Sequence, residues 1–312
     1  MAKFIKRIVL FCMLFILSVI LSAIFNWVFV GNQFLGNYQA SLLDKVDRMQ
    51  SIKGSKIIVL GNSNVCFGLD SELIEEELGM PVVDMGLHGG LGNAFHERMI
   101  QFGVSEGDIV IVCHTTFSDD DSILDPELVW ITLEKHKELW PLIASNDYVP
   151  LLKGYPKYFV TSTIKWIRGG ADNVPSETTC YSRSAFNEYG DIIKRFDAAY
   201  EFVDGSVVIP SINDTCMNRL NEMNQYVSDR GAALLVAGYP VGYGEYTPDE
   251  TEWDAFEDEL RSKLDCDVIS HYADYFIPYE LFYDTRLHLS EEGARIRTEQ
   301  LIEDLKGWMN ER

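Results

Sequence analysis

Positive charge is what this chain is short of. Its 312 residues carry 26 lysines and arginines against 48 aspartates and glutamates, a formal net charge of −22. Phosphate backbones are bound by clustered Lys and Arg, so the deficit argues against a nucleic-acid partner. It also argues against broad adhesion to an anionic membrane surface, and it favours a neutral or cationic substrate. Metal-ligand spacing is missing too. The six cysteines, Cys12, Cys66, Cys113, Cys180, Cys216 and Cys266, include no CxxC pair, which removes the common zinc and dithiol motifs. Asp119-Asp120-Asp121 with Asp125 does not follow a calcium-loop spacing and reads as a solvated acidic loop. No internal repeat and no low-complexity tract is present. What remains is an ordinary globular composition, 47% hydrophobic and 24% charged, long enough for one large domain or two small ones.

The first thirty residues differ from the rest. Lys3, Lys6 and Arg7 precede a run from Ile8 to Phe25 without a charge, continued by Trp27 to Val30. A helix needs about 20 apolar residues to cross a bilayer, whereas a cleaved signal peptide has a shorter apolar region of ~7–15. Leu21, two residues before the candidate cut after Ala23, is a poor fit to a cleavage site. The expectation is an uncleaved, single-pass anchor with its N-terminus inside and the remaining chain outside the cytoplasm. In that compartment the cysteines have two readings: small buried hydrophobes, or a disulfide, for which Cys180 with Cys216 is the first candidate pair.

After an amphipathic connecting segment, 32–54, the pattern alternates. Short apolar runs at 56–60, 81–84, 108–112, 232–237 and 266–270 read as strands. Helical patterns lie at 71–78, 93–102, 217–228 and 252–264. A last helix follows Ser290, an N-cap with Glu291 and Glu292 in its first turn. Its apolar stripe is Ala294, Thr298, Leu301, Ile302, Leu305 and Trp308. Strands alternating with helices predict a mostly parallel sheet covered on both faces, with its site at the carboxyl ends of the strands. The alternation fails at about 117–210, an aromatic-rich stretch that reads as a mainly helical insertion. Three parts follow: an anchor at 1–31, the connector at 32–54, and a domain at 55–312 holding the insertion.

Three motifs stand at predicted strand ends. Gly61-Asn62-Ser63-Asn64 follows the first strand. A serine at such a turn exposes its hydroxyl to a helix N-terminus, although many serines there are plain N-caps. Asp84-Met85-Gly86-Leu87-His88-Gly89-Gly90 follows the second, where glycine lets an amide approach a reacting carbonyl oxygen, or simply makes a tight turn. Tyr283-Asp284-Thr285-Arg286-Leu287-His288 precedes the last helix. An imidazole there can serve a serine from the first strand, with a nearby carboxylate holding its tautomer.

In these residues the chain resembles the SGNH/GDSL hydrolase superfamily, from about 56 to 308 with the insertion interrupting. Gly61-Asn62-Ser63 is similar to the family's Gly-Asp-Ser block and implies Ser63 as nucleophile. Asp84-Met85-Gly86 is similar to its Asn-x-Gly block and implies the Gly86 amide as an oxyanion donor. Asp284 and His288 are similar to its closing Asp–His block and imply His288 as base. The implied fold is a flavodoxin-like three-layer α/β/α sandwich with a parallel sheet, here joined to one transmembrane helix. The anchored arrangement resembles relatives that serve acylation of surface polysaccharides or teichoic acids. That implies an ester or acylated carbohydrate as substrate, a membrane acyltransferase as partner, and no metal or cofactor.

The chain departs from the family in three places. Asn62 replaces the Asp before the nucleophile. The third strand ends Cys113-His114-Thr115-Thr116, where the family has Gly-x-Asn-Asp with Asn as oxyanion donor, leaving His114 or Thr115 to take that part. Asp284 lies four residues before His288 instead of three, with Thr285 in the usual place. Substrate contacts are expected from Asn64 and from Arg183 and Asn187 in the insertion. An α/β-hydrolase elbow is excluded, because Gly61-Asn62-Ser63-Asn64-Val65 lacks its second glycine and the nucleophile precedes the glycine loop. Besides an O-acyl esterase or acyltransferase, a lipase or thioesterase fits these residues, as does a non-catalytic glycan-binding or assembly protein that kept the fold.

Overall fold

The computed structural model describes residues 1–119, 121–170, 179–195, 208–244 and 247–311. It begins with α1 (Ala2–Phe25), which runs on through a π-helical turn to Val30. Together they form one helix long and apolar enough to cross a membrane. A five-stranded sheet follows: β1 (Ile57–Gly61), β2 (Val82–Asp84), β3 (Ile109–Cys113), β4 (Ala233–Val236) and, after the two-stranded pair's first member β5 (Val241–Tyr243), β6 (Asp267–Val268). Its order is β2-β1-β3-β4-β6 and every pairing is parallel. The chain steps outward from β1 to β2, then returns to β1's other side at β3. A crevice at the carboxyl ends is expected at such a reversal. β5 pairs with β7 (Phe276–Pro278) in a second small sheet that the sequence pattern did not reveal.

Strand side chains alternate between two apolar clusters. Ile58, Leu60, Val110, Val112 and Val236 join one, with residues of α2 (Ser41–Ser51), α5 (Asn93–Arg98), α8 (Asp214–Ser228) and α9 (Glu250–Lys263). Ile57, Val59, Ile109, Ile111 and Leu235 join the other, with residues of α4 (Ser71–Leu78) and α10 (Glu291–Asn310). Pleating sends successive residues to opposite faces, and both faces here meet apolar partners, so the central strands β1, β3 and β4 carry no charged or polar side chains. Ser290 caps α10, its hydroxyl accepting from the Gly293 amide at 3.2 Å. The described part of the insertion contributes α6 (Pro126–Leu133), α7 (Tyr148–Ile167) and short 3-10 turns; its residues 171–178 and 196–207 fall outside the described set.

One of the two cysteine readings falls away, and one expectation changes. All six cysteines are free, Cys180 and Cys216 among them. The 32–54 segment is not a separate connector. Tyr38, Leu42, Val46 and Met49 are buried in the first cluster. Lys45 of α2 is 2% exposed; its Nζ donates to the Gly190 carbonyl at 2.7 Å and the Asp84 carbonyl at 2.9 Å, and meets Asp84 Oδ1 at 3.3 Å. An amphipathic helix thus closes over the edge strand and carries the counter-charge for a fully buried carboxylate. Lys45→Met should destabilise the fold by about 3–5 kcal/mol, because Asp84 would keep a buried charge without a partner. Denaturation of the detergent-solubilised chain checks this, and adding Asp84→Asn should recover part of the loss.

Candidate active site

β1 leads to Ser63, the expected nucleophile, through a close contact that only glycine permits. A Cβ on Gly61 would lie 2.5 Å from Val65 Cγ2 and 2.9 Å from the Cys113 carbonyl. Asn62 then caps the short α3 (Ser63–Cys66), its Oδ1 accepting from the Asn64 amide at 2.9 Å. Ser63 is the first residue of α3, half-buried, with Oγ directed out of the turn. Neighbouring Cys66 is no rival: burial, the largest influence, pushes its thiol up to about 12, and an inert buried thiol is a poor nucleophile.

His288, the expected base, stands on the loop before α10. Phe282 and Leu289 form an antiparallel bridge, the Tyr283 amide donates to the His288 carbonyl at 2.7 Å, and the His288 amide donates to the Thr285 carbonyl at 3.3 Å. This pinched loop brings residues four apart face to face. His288 Nδ1 lies 2.6 Å from Asp284 Oδ1, and Nε2 lies 2.8 Å from Ser63 Oγ. A carboxylate only accepts, so Nδ1 carries the hydrogen and Nε2 is left to accept from the serine hydroxyl. The ring is 6% exposed and stacks on Phe67 at 4.0 Å, 7° from parallel, which fixes its plane. The loop absorbs the extra residue that the Asp–His spacing introduces. Thr285, at the position the family gives to Asp, accepts from the Leu287 amide at 3.3 Å.

Tyr181, which sequence reasoning did not single out, completes the relay. Its hydroxyl donates to Asp284 Oδ2 and lies 3.4 Å from His288 Nδ1. Burial works against ionisation of Asp284, but hydrogen bonds from His288 and Tyr181 outweigh it and hold the carboxyl below its usual range. Burial and the bond to Asp284 raise the tyrosine's own pKa, so it stays a donor. Tyr181→Phe should lower kcat roughly three- to tenfold with KM unchanged, for one partly exposed charge-assisted bond. Because the lost donor held Asp284 down, the acid limb of the pH profile should move to higher pH; a kcat–pH titration reads both effects.

The oxyanion side needs correction. The Gly86 amide donates to Asp84 Oδ1 at 2.6 Å and is committed. Glycine is required there for contact: a Cβ would lie 2.7 Å from the Cys66 amide nitrogen and 2.8 Å from Val65 Cβ. His114 is fully buried and turned away, Nε2 2.8 Å from Glu97 Oε1. Arg219 grips the same carboxylate at 2.6 Å and also reaches Asp119 and Asp121. Burial would raise the Glu97 pKa, yet these bonds bring it down to about 2. Thr115 does reach the nucleophile turn, its Oγ1 accepting from Asn62 Nδ2 at 2.8 Å. The loop beside that turn is at Gly89, where a Cβ would lie 3.4 Å from Asn62 Cβ. Among the described residues, the Ser63 and Gly89 amides have no hydrogen-bond partner.

The expected substrate contacts are structural as well. Asn64 is fully buried, donating to Asn62 Oδ1 at 2.8 Å and to the Cys113 carbonyl at 3.1 Å, which ties the turn to β3. Arg183 holds Asp44 of α2 in a bidentate pair at 2.5 and 2.6 Å. Asn187 Oδ1 accepts from the amides of Tyr189, Gly190 and Asp191, shaping the turn that meets Lys45. Asp119 and Asp121 serve Arg219, and Asp125 caps α6 at the amides of Glu127 and Leu128. Comparison with protein-family models, with curated proteins and with solved structures finds no match to this chain.

Proposed function

We propose that the chain is a membrane-anchored serine hydrolase of the SGNH type, a flavodoxin-like three-layer sandwich held outside the cytoplasm. It cleaves or transfers ester-linked acyl groups of a surface glycan, with a membrane acyltransferase as partner. The relay of Ser63, His288 and Asp284, at 2.8 and 2.6 Å, carries this reading. Ser63 Oγ attacks the ester carbonyl while His288 Nε2 takes its proton, and Asp284 balances the imidazolium. The Ser63 and Gly89 amides and the Thr115 hydroxyl are the donors for the developing oxyanion. Nε2 returns the proton to the departing alcohol, leaving an acyl group on Ser63. Water, or a sugar hydroxyl deprotonated by His288, then takes the acyl group and restores the serine. Every proton transfer in this scheme passes through His288. The net charge of −22 favours a neutral glycan over an anionic one.

A second reading is a non-catalytic assembly protein that kept the fold. The committed Gly86 amide and the inward His114 favour it, since both remove expected oxyanion donors. Assay of the purified full chain on acetylated oligosaccharide, p-nitrophenyl acetate, p-nitrophenyl palmitate and an acyl thioester separates the readings. The proposal expects turnover of the acetyl esters above the others. Folded protein inert on all four would support the assembly role, and preference for palmitate or the thioester would support a lipase or thioesterase.

A further inference from the structure

We propose that α7 is an interfacial helix that lays an apolar stripe on the anionic surface of the bilayer entered by α1. The inference rests on α1 being membrane-embedded and not on the hydrolase reading. In a chain of net charge −22, α7 holds Lys153, Lys157 and Lys165 and no acidic residue, and Arg168 follows it directly. Val149, Leu152, Val160, Ile164 and Ile167 are exposed by 60, 66, 53, 44 and 71%. At ~100° per residue they share one stripe about 120° wide. The opposite face, Leu151, Tyr158 and Ser162, is buried against the domain. An amphipathic helix normally turns its apolar side inward; this one presents apolar residues on both sides, and among the described residues the outer set stays exposed.

The position of α7 identifies what covers that set. Asn26 Nδ2 donates to Ser162 Oγ at 2.8 Å, and the Phe25 and Trp166 rings meet edge to face at 5.9 Å. The C-terminal half of α7 therefore packs against the last turns of the apolar span, which ends at Val30, and so lies near the depth of the headgroups. Trp27 and Trp166, both partly exposed, are at that level, where indole rings favour a mixed environment. Lys157 pairs with Glu127. Lys153 and Arg168 make no ion pair among the described residues; Lys153 falls within the stripe, between Val160 and Ile164, and Arg168 lies beyond its edge, so both can reach anionic headgroups. The overall negative charge repels an anionic surface, so this local cationic strip also selects which face of the domain turns to the membrane.

The test uses the full chain in lipid vesicles with a benzoylphenylalanine crosslinker placed in turn at Leu152, Val160 and Ile167, and at Leu14 within α1. Vesicles containing phosphatidylglycerol should give lipid adducts at all four positions. At the three α7 positions the yield should fall about threefold or more in phosphatidylcholine alone, and likewise in Lys153→Gln/Arg168→Gln. Adducts at Leu14 with α7 silent would overturn the proposal and leave the span intact. Silence at all four would remove the span and the proposal together. Lipid yield independent of headgroup charge would overturn the assignment to an anionic surface. Crosslinks to a polypeptide instead of lipid in native membranes would make the occupant a protein and overturn the proposal.

Discussion

Alanine at Ser63 is expected to lower ester turnover by roughly 10⁴–10⁶-fold, with KM little changed. In the proposed mechanism Ser63 Oγ is the attacking oxygen: it lies 2.8 Å from His288 Nε2. Without it no acyl-enzyme forms, and only the oxyanion donors and substrate binding remain to act on an attacking water. The fold should not suffer. The turn is held by Asn62, Asn64 and the glycine contacts, and among the described residues the serine hydroxyl bonds only to His288. Single-turnover kinetics on an acetyl ester, with thermal denaturation as the folding control, measures the effect. A variant that keeps its melting temperature and more than a tenth of the parent turnover would exclude Ser63 as nucleophile.

Asp284→Asn should cost about 10⁴-fold in kcat. Its Oδ1 takes the Nδ1 hydrogen of His288, which leaves Nε2 free for the serine. An amide that turns its NH₂ toward Nδ1 favours the opposite tautomer, in which Nε2 carries a hydrogen and cannot act as base. Oδ2 would also lose its charge opposite the Tyr181 hydroxyl. Thr285→Ala, by contrast, should change turnover by less than about threefold, since its side chain only accepts from the Leu287 amide. Assaying the pair on one ester discriminates sharply. Near-full turnover in Asp284→Asn would mean a Ser63–His288 dyad, with Asp284 serving the loop alone.

How far the chain could be read in advance follows from the range of each interaction. Continuous apolar runs between turn signals located the strands of the main sheet to within one residue at most ends, because burial on both faces leaves a strong local signal. The expected run at 266–270 shrank to two paired residues, Asp267 and Val268. That Ser63, Asp284 and His288 meet was legible because each stands at a boundary the pattern marks. The glycine run 86–90 was legible as a loop, but not which glycine does what. Gly86 is fixed by Val65 and Cys66, some twenty residues earlier, and no local feature separates it from Gly89.

Charged and aromatic residues were read worst, since their partners lie far along the chain. Lys45 on an amphipathic helix reads as solvated until Asp84 and Gly190 surround it. Arg183 reads as a substrate contact until Asp44 claims it. His114 follows β3 inward and meets Glu97 there. Tyr181 lay in the aromatic-rich insertion, but its partner Asp284 is more than a hundred residues away. In each case the sequence carries the residue type and the fold supplies the neighbour that decides its part.

The most direct measurement treats the full chain in detergent with a fluorophosphonate probe, which phosphonylates only an activated serine. The relay predicts one covalent adduct, mapped by peptide mass to Ser63, absent in Ser63→Ala and strongly slowed in His288→Ala. Folded protein that takes up no probe, or that carries it on another residue while Ser63 stays free, would contradict the account.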